Sequence, residues 1–177
     1  VYNFKNVSSG FFDQKDNDRP LPRYWSCSRF NRDFVAIGAQ LQALSSLGAY
    51  HVGDIPMGAA ELPPGSPFVI DPPLPIRRYE NPDLSLRNEA PIEGLLLGYF
   101  GRAGEATHVL VVNLDYTREV TTTVVGPGRM EVFDARERKW QKASNRSRVG
   151  REPSRRAKVS LMPGGGKLLR LRSRSTR

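Results

Sequence analysis

The chain has 177 residues, 38% of them hydrophobic, and sets 27 Lys or Arg against 18 Asp or Glu for a net charge of +9. That length accommodates one domain or two small ones and excludes a complete (β/α)₈ barrel, which needs roughly 250 residues; the apolar share excludes wholesale disorder. No run of ~18 apolar residues points to a membrane span, no apolar h-region marks a signal peptide near the start, and the lone Cys27 excludes an internal disulfide while leaving the compartment open.

Val1 to Phe4 reads as the end of a strand, opening in mid-pattern without an initiator Met, as the end of a longer protein would. Residues 5–24 read as loop. From Ser28 the spacing of Phe30, Phe34, Ile37, Leu41 and Leu44 is 4, 3, 4 and 3, which predicts an amphipathic helix, with Ser28 as N-cap and Gly48 as the residue that stops it. Burial of those five side chains represents roughly 7–15 kcal/mol of gross driving force, so the helix needs a surface to lie on. Residues 1–50 form the first region. Residues 51–91 contain nine prolines and read as an irregular or edge-like connector. It carries Leu62, Phe68, Ile70, Leu74 and Tyr79, so it is expected to wrap the domain rather than hang free.

From Ile92 the pattern is one of strands: Leu95 to Phe100, His108 to Leu114, Glu119 to Val125, Met130 to Phe133, and one holding Trp140. Gly101 to Glu105 reads as a turn, and Gly126-Pro127-Gly128 as a break. Val159 and Leu161 are expected to pair with Leu168, Leu169 and Leu171 across a hairpin at Pro163-Gly164-Gly165-Gly166. The expected fold is mainly β, an antiparallel β-sandwich over residues 92–172 preceded by one amphipathic helix and a Pro-rich connector. A basic tail, 173–177, follows.

Most catalytic signatures are missing: no G-x-S-x-G, no H-E-x-x-H, and no Cys/His cluster with metal spacing, so no metal or cofactor is implied. Gly164 to Lys167 lacks the upstream Gly and the following Ser or Thr of a phosphate loop and reads as a turn. His51 and His108 read as packed or hydrogen-bonded residues rather than bases. Asn6-Val7-Ser8 and Asn145-Arg146-Ser147 match the glycosylation sequon.

One set of motifs resembles the end of barrel glycoside hydrolases, in which a (β/α)₈ barrel is followed by a C-terminal β-sandwich. The residues that carry the likeness are Asn31, Leu41, Leu44, Ser46, Tyr50-His51, Gly53 and Pro56-Met57-Gly58 around the last barrel helix. Val111-Val112-Asn113-Leu114-Asp115 and Pro163 to Leu171 follow in the sandwich, in the same order along the chain. The resemblance implies that residues 1–50 are the remnant of a β/α barrel, with Val1 to Phe4 its eighth strand. Asn3, Phe4, Lys5 and Asn6 would then rim a sugar site, since active sites of this fold sit at the C-terminal ends of the strands; the same four residues could equally do no more than finish a strand. It also implies an upstream barrel domain as the partner, with the two carboxylates of glycoside hydrolysis on that part, so that this chain alone hydrolyses nothing. Tyr99, Trp140 and Tyr116 could supply stacking faces for carbohydrate.

Two other readings stay open. Residues 129–177 hold 16 basic and 4 acidic side chains. A basic nucleic-acid-binding module could use Arg146, Arg148, Arg151, Arg155, Arg156 and Lys158, with Arg170, Arg172, Arg174 and Arg177 adding to it. A scaffold or interaction domain with no ligand is not excluded by the sequence.

Overall fold

The computed structural model describes residues 11–12, 19–78, 93–143 and 155–172. One helix, α1 (Pro22–Leu41), precedes ten strands: β1 (Ser45–Ile55), β2 (Val69–Asp71), β3 (Arg77–Arg78), β4 (Gly94–Arg102), β5 (Glu105–Asn113), β6 (Val120–Val125), β7 (Met130–Asp134), β8 (Lys139–Lys142), β9 (Arg156–Leu161) and β10 (Gly166–Leu171). They form a seven-stranded sheet, ordered β3-β1-β4-β5-β10-β7-β8, and a three-stranded sheet, ordered β2-β6-β9. All pairings are antiparallel except β1 with β3. The mainly-β, sandwich-like fold expected from the strand pattern is what forms.

Alternation along the strands builds the core. Leu95, Leu97 and Tyr99 of β4, Val109 and Val111 of β5 and Leu169 of β10 point inward from the large sheet. They meet Ile70, Val124, Ala157, Val159 and Leu161 of the small one. Phe68, fully buried, joins them from the connector, and Leu62 and Leu74 pack at the margin, so the described part of this segment packs on the sheets; Tyr79 lies outside the described residues. Its two strands, β2 and β3, lie at sheet edges, where proline-rich chain belongs. β4 and β5 join through a two-residue turn in which Ala103 (φ 50°) and Gly104 (φ 79°) both take the left-handed conformation that matches strand twist.

Three local expectations are corrected. The helix begins at Pro22, not Ser28, because a proline at the first helical position has φ preset and loses no internal bond; it ends at Leu41, with the Gln42 N–H donating to the Gly38 carbonyl. Leu44 leaves the stripe, and Gly48 (φ 146°) serves a bulge in β1 rather than a helix stop. His51 to Ile55, assigned by sequence to the connector, belong to β1, because Tyr50 and Val52 pair with Leu97 and Leu95 and the ladder runs on to Gly53. Finally, β9 and β10 do not pair across Pro163–Gly166. β9 lies against β6 in the small sheet and β10 between β5 and β7 in the large one, so this turn carries the chain from one sheet to the other. The cause is visible in burial: β10 buries Leu168 and Leu169 on opposite faces, which suits a central strand covered on both sides.

The cover on that second face is α1. Ala36, with Ile37 and Leu41, packs on Phe133, Leu168, Leu110 and Trp140. The Trp140 Nε1–H donates to Gln40 Oε1 at 3.1 Å.

Candidate functional site

Asn3, Phe4, Lys5 and Asn6, both sequons, and Arg146, Arg148, Arg151, Arg174 and Arg177 lie outside the described residues. The aromatic candidates have divided roles. Tyr99 is buried, its hydroxyl donating to the Phe68 carbonyl. Trp140 packs against Phe133 and His108, with the Arg170 guanidinium 4.2 Å from its ring centre, so its faces are taken. Tyr116 alone stands out, 74% exposed.

The two histidines serve packing. Burial lowers the pKa of both, and the positive Arg170 depresses that of His108 further. Among the described residues, the basic side chains of the C-terminal region divide between the two sheets. Arg156 pairs with Asp71 at the small sheet, whereas Arg170 and Arg172 share Glu131 on the large one.

Two motifs far apart in sequence do meet. Asn113, at the end of β5, has its N–H donating to the Gly165 carbonyl at 2.9 Å, and the Gly164 N–H donates to the Asp115 carbonyl at 3.0 Å. The buried Asn113 amide donates to the carbonyls of Arg118 and Met162 and accepts the Asp115 N–H. Asp115 Oδ1 in turn accepts the Thr117 hydroxyl at 2.6 Å and the N–H groups of Thr117 and Arg118. The Thr117 bonds, above all that from its hydroxyl, hold the Asp115 pKa below the ordinary carboxylate value. This cluster latches the sheet-crossing turn; every group in it is engaged in a structural bond.

Beside it runs a crevice of about 230 Å³ in which Arg77 pairs with Asp54 at 3.2 Å and Glu93 at 2.6 Å, and Arg118 with Glu93 at 3.6 Å, while Glu119 also lines the wall. Asp54 and Arg77 are register partners on β1 and β3, so the network fastens the connector to the sheet edge. Among the described residues no group of three or more His, Cys, Asp or Glu could hold a metal ion, and no helix is long and apolar enough to cross a membrane.

Among the described elements, α1 is only partly covered. Its C-terminal half is seated, but the preceding turns extend beyond the sheet. They leave Trp25 57%, Phe30 58% and Phe34 67% exposed, with Phe30 and Phe34 stacked on each other at 6.4 Å. Of the five stripe residues predicted to be buried together, Ile37 and Leu41 are packed whereas Phe30 and Phe34 are not. Along the other flank Arg29 and Arg32 face Arg136 and Arg138 of the β7–β8 turn across a cleft of about 340 Å³. The helical spacing of Arg29 and Arg32 was readable in sequence, but nothing local announced that the β7–β8 turn would face them.

No protein-family model matches the chain, and neither a curated protein nor a solved structure matches it.

Proposed function

We propose that this chain is the C-terminal part of a glycoside hydrolase-like protein, an accessory β-sandwich that supports a carbohydrate-processing barrel and itself lacks the catalytic carboxylates. The observation that carries the reading is the half-covered stripe of α1. Two stacked phenylalanines on a helix whose other stripe residues are already seated form a seam without a second wall. Exposed rings at this density are costly to solvate, and a barrel's neighbouring helix would cover them. The meeting of Asn113-Leu114-Asp115 with the glycine turn at 163–166 adds support, because the two sandwich motifs of the resemblance then act as one latch. In this reading Asn3, Phe4, Lys5 and Asn6 rim the barrel's sugar site, and the upstream barrel is the partner.

The test is complementation in two pieces. The polypeptide encoded immediately before Val1 is produced separately and mixed with this chain. A stable one-to-one complex is expected by sedimentation, with hydrolysis of aryl glycosides dependent on the upstream piece. Phe30→Asp combined with Phe34→Asp is expected to weaken association at least about a hundredfold, because two buried aromatic contacts are lost. An upstream segment without βα alternation, or association indifferent to both substitutions, refutes the reading.

A further inference from the structure

A second surface of α1 calls for a different ligand. The cleft between α1 and the β7–β8 turn is lined by Arg29, Arg32, Asp33, Arg136 and Arg138. Past Arg29 and Arg32 it continues as a shallower trough toward Arg19 and the exposed Trp25. None of these five arginines forms an ion pair with an acid among the described residues. The two on the turn are held in place by its backbone. Asp134 Oδ1 accepts the N–H groups of Arg136 and Glu137, both at 3.0 Å, and Gln141 Nε2 donates to its other oxygen. Guanidinium groups on a fixed scaffold lose little freedom on binding and match tetrahedral oxyanions in two-point geometry.

We propose that this groove binds a sulfated glycan chain, with the arginines taking sulfate ester groups, Asp33 accepting sugar hydroxyls and Trp25 stacking on a sugar face. Charge alone would admit a nucleic acid as well, but two features favour the glycan. The carboxylate in the wall repels sulfate and phosphate alike, but it also accepts hydrogen bonds from the hydroxyls that a sugar carries in number and a DNA strand lacks. Single-stranded nucleic acid is held by rings placed for successive bases, and here one indole lines the groove. At ~100° per residue Trp25, Arg29 and Arg32 fall within roughly 60° of one another, and Phe30 and Phe34 are turned roughly 100–180° away. The groove is thus separate from the seam assigned to the barrel and goes beyond that reading.

The probes are dextran sulfate, unsulfated dextran and a single-stranded oligonucleotide, titrated against the chain at about 0.15 M salt. Dextran sulfate is expected to bind at least about tenfold more tightly than the oligonucleotide, and dextran not at all. Arg29→Gln with Arg32→Gln is expected to weaken dextran sulfate at least about tenfold, and Arg129→Gln with Lys158→Gln, which removes the same charge elsewhere, less than about twofold. Asp33→Ala separates the two ligand chemistries: it weakens dextran sulfate severalfold here, whereas a merely coulombic site would gain affinity. Phe30→Ser with Phe34→Ser, which removes the rings without adding charge, leaves dextran sulfate binding unchanged, so this inference and the barrel reading fail independently. Oligonucleotide binding as tight as that of dextran sulfate, equal losses in the two arginine and lysine pairs, tighter binding by Asp33→Ala, or no binding at all overturns the proposal.

Discussion

Residues 36–41 of α1 lie on the outer face of the large sheet, where Ala36 is 4% exposed and Gln40 receives the Trp140 N–H, whereas residues 25–34 carry their aromatic rings into solvent. The two halves share one helical repeat, so periodicity alone does not distinguish them. What separates them is the reach of the sheet: among the described residues, Phe133, Leu168 and Trp140 provide a floor for the last two turns. An apolar stripe therefore identifies a face that must be covered without saying what covers it or whether one body suffices.

That contrast can be broken by substitution. Phe133→Ala removes the floor under the seated half and is expected to cost about 3–5 kcal/mol, measured by urea denaturation, with a parallel loss of helical circular dichroism. Asp115→Asn acts on the latch of the sheet-crossing turn and has a smaller effect that depends on pH. Because the folded carboxyl titrates below its unfolded value, its contribution is present at neutral pH and is lost as pH falls below about 4. The parent protein should therefore lose stability in that window faster than the variant, which is followed by thermal melts from pH 3 to 7. Phe34→Ser, in the unseated half, should change stability by no more than about 0.5 kcal/mol. A loss as large as that of Phe133→Ala would mean that the free half is seated after all.

The sequence made the strand content legible because the sandwich buries one face of most strands, and alternation of Val and Leu with polar residues records that directly. The wrapping connector was legible too, since Phe68 and Ile70 among prolines have no reason to be apolar in a solvated linker. Helix limits were less so. Pro22 to Ser26 lack apolar periodicity because the sheet floor reaches the helix only at Ala36, and Ser45 to Ile55 read locally as helix end and connector because pairing with β4, about fifty residues on, overrides local preference. The glycine turn at 163–166 reads the same whether it folds a hairpin or crosses between sheets, since its backbone requirement is local and the destination of β10 is set by β5 and β7. The arginine groove is not legible in sequence for a similar reason: its two walls lie about a hundred residues apart, and only the fold brings them together.

The position of β10 also bears on how the protein is made. This strand, the last of the ten in chain order, fills the gap between β5 and β7. Until it emerges from the ribosome, β4–β5 and β7–β8 are separate ribbons with unsatisfied amide edges on either side of an empty slot. The sandwich is thus closed by a keystone strand made after the other nine. Nascent chains stalled before Gly166 are the species most exposed to edge-to-edge aggregation, and those in which chaperone capture would matter most.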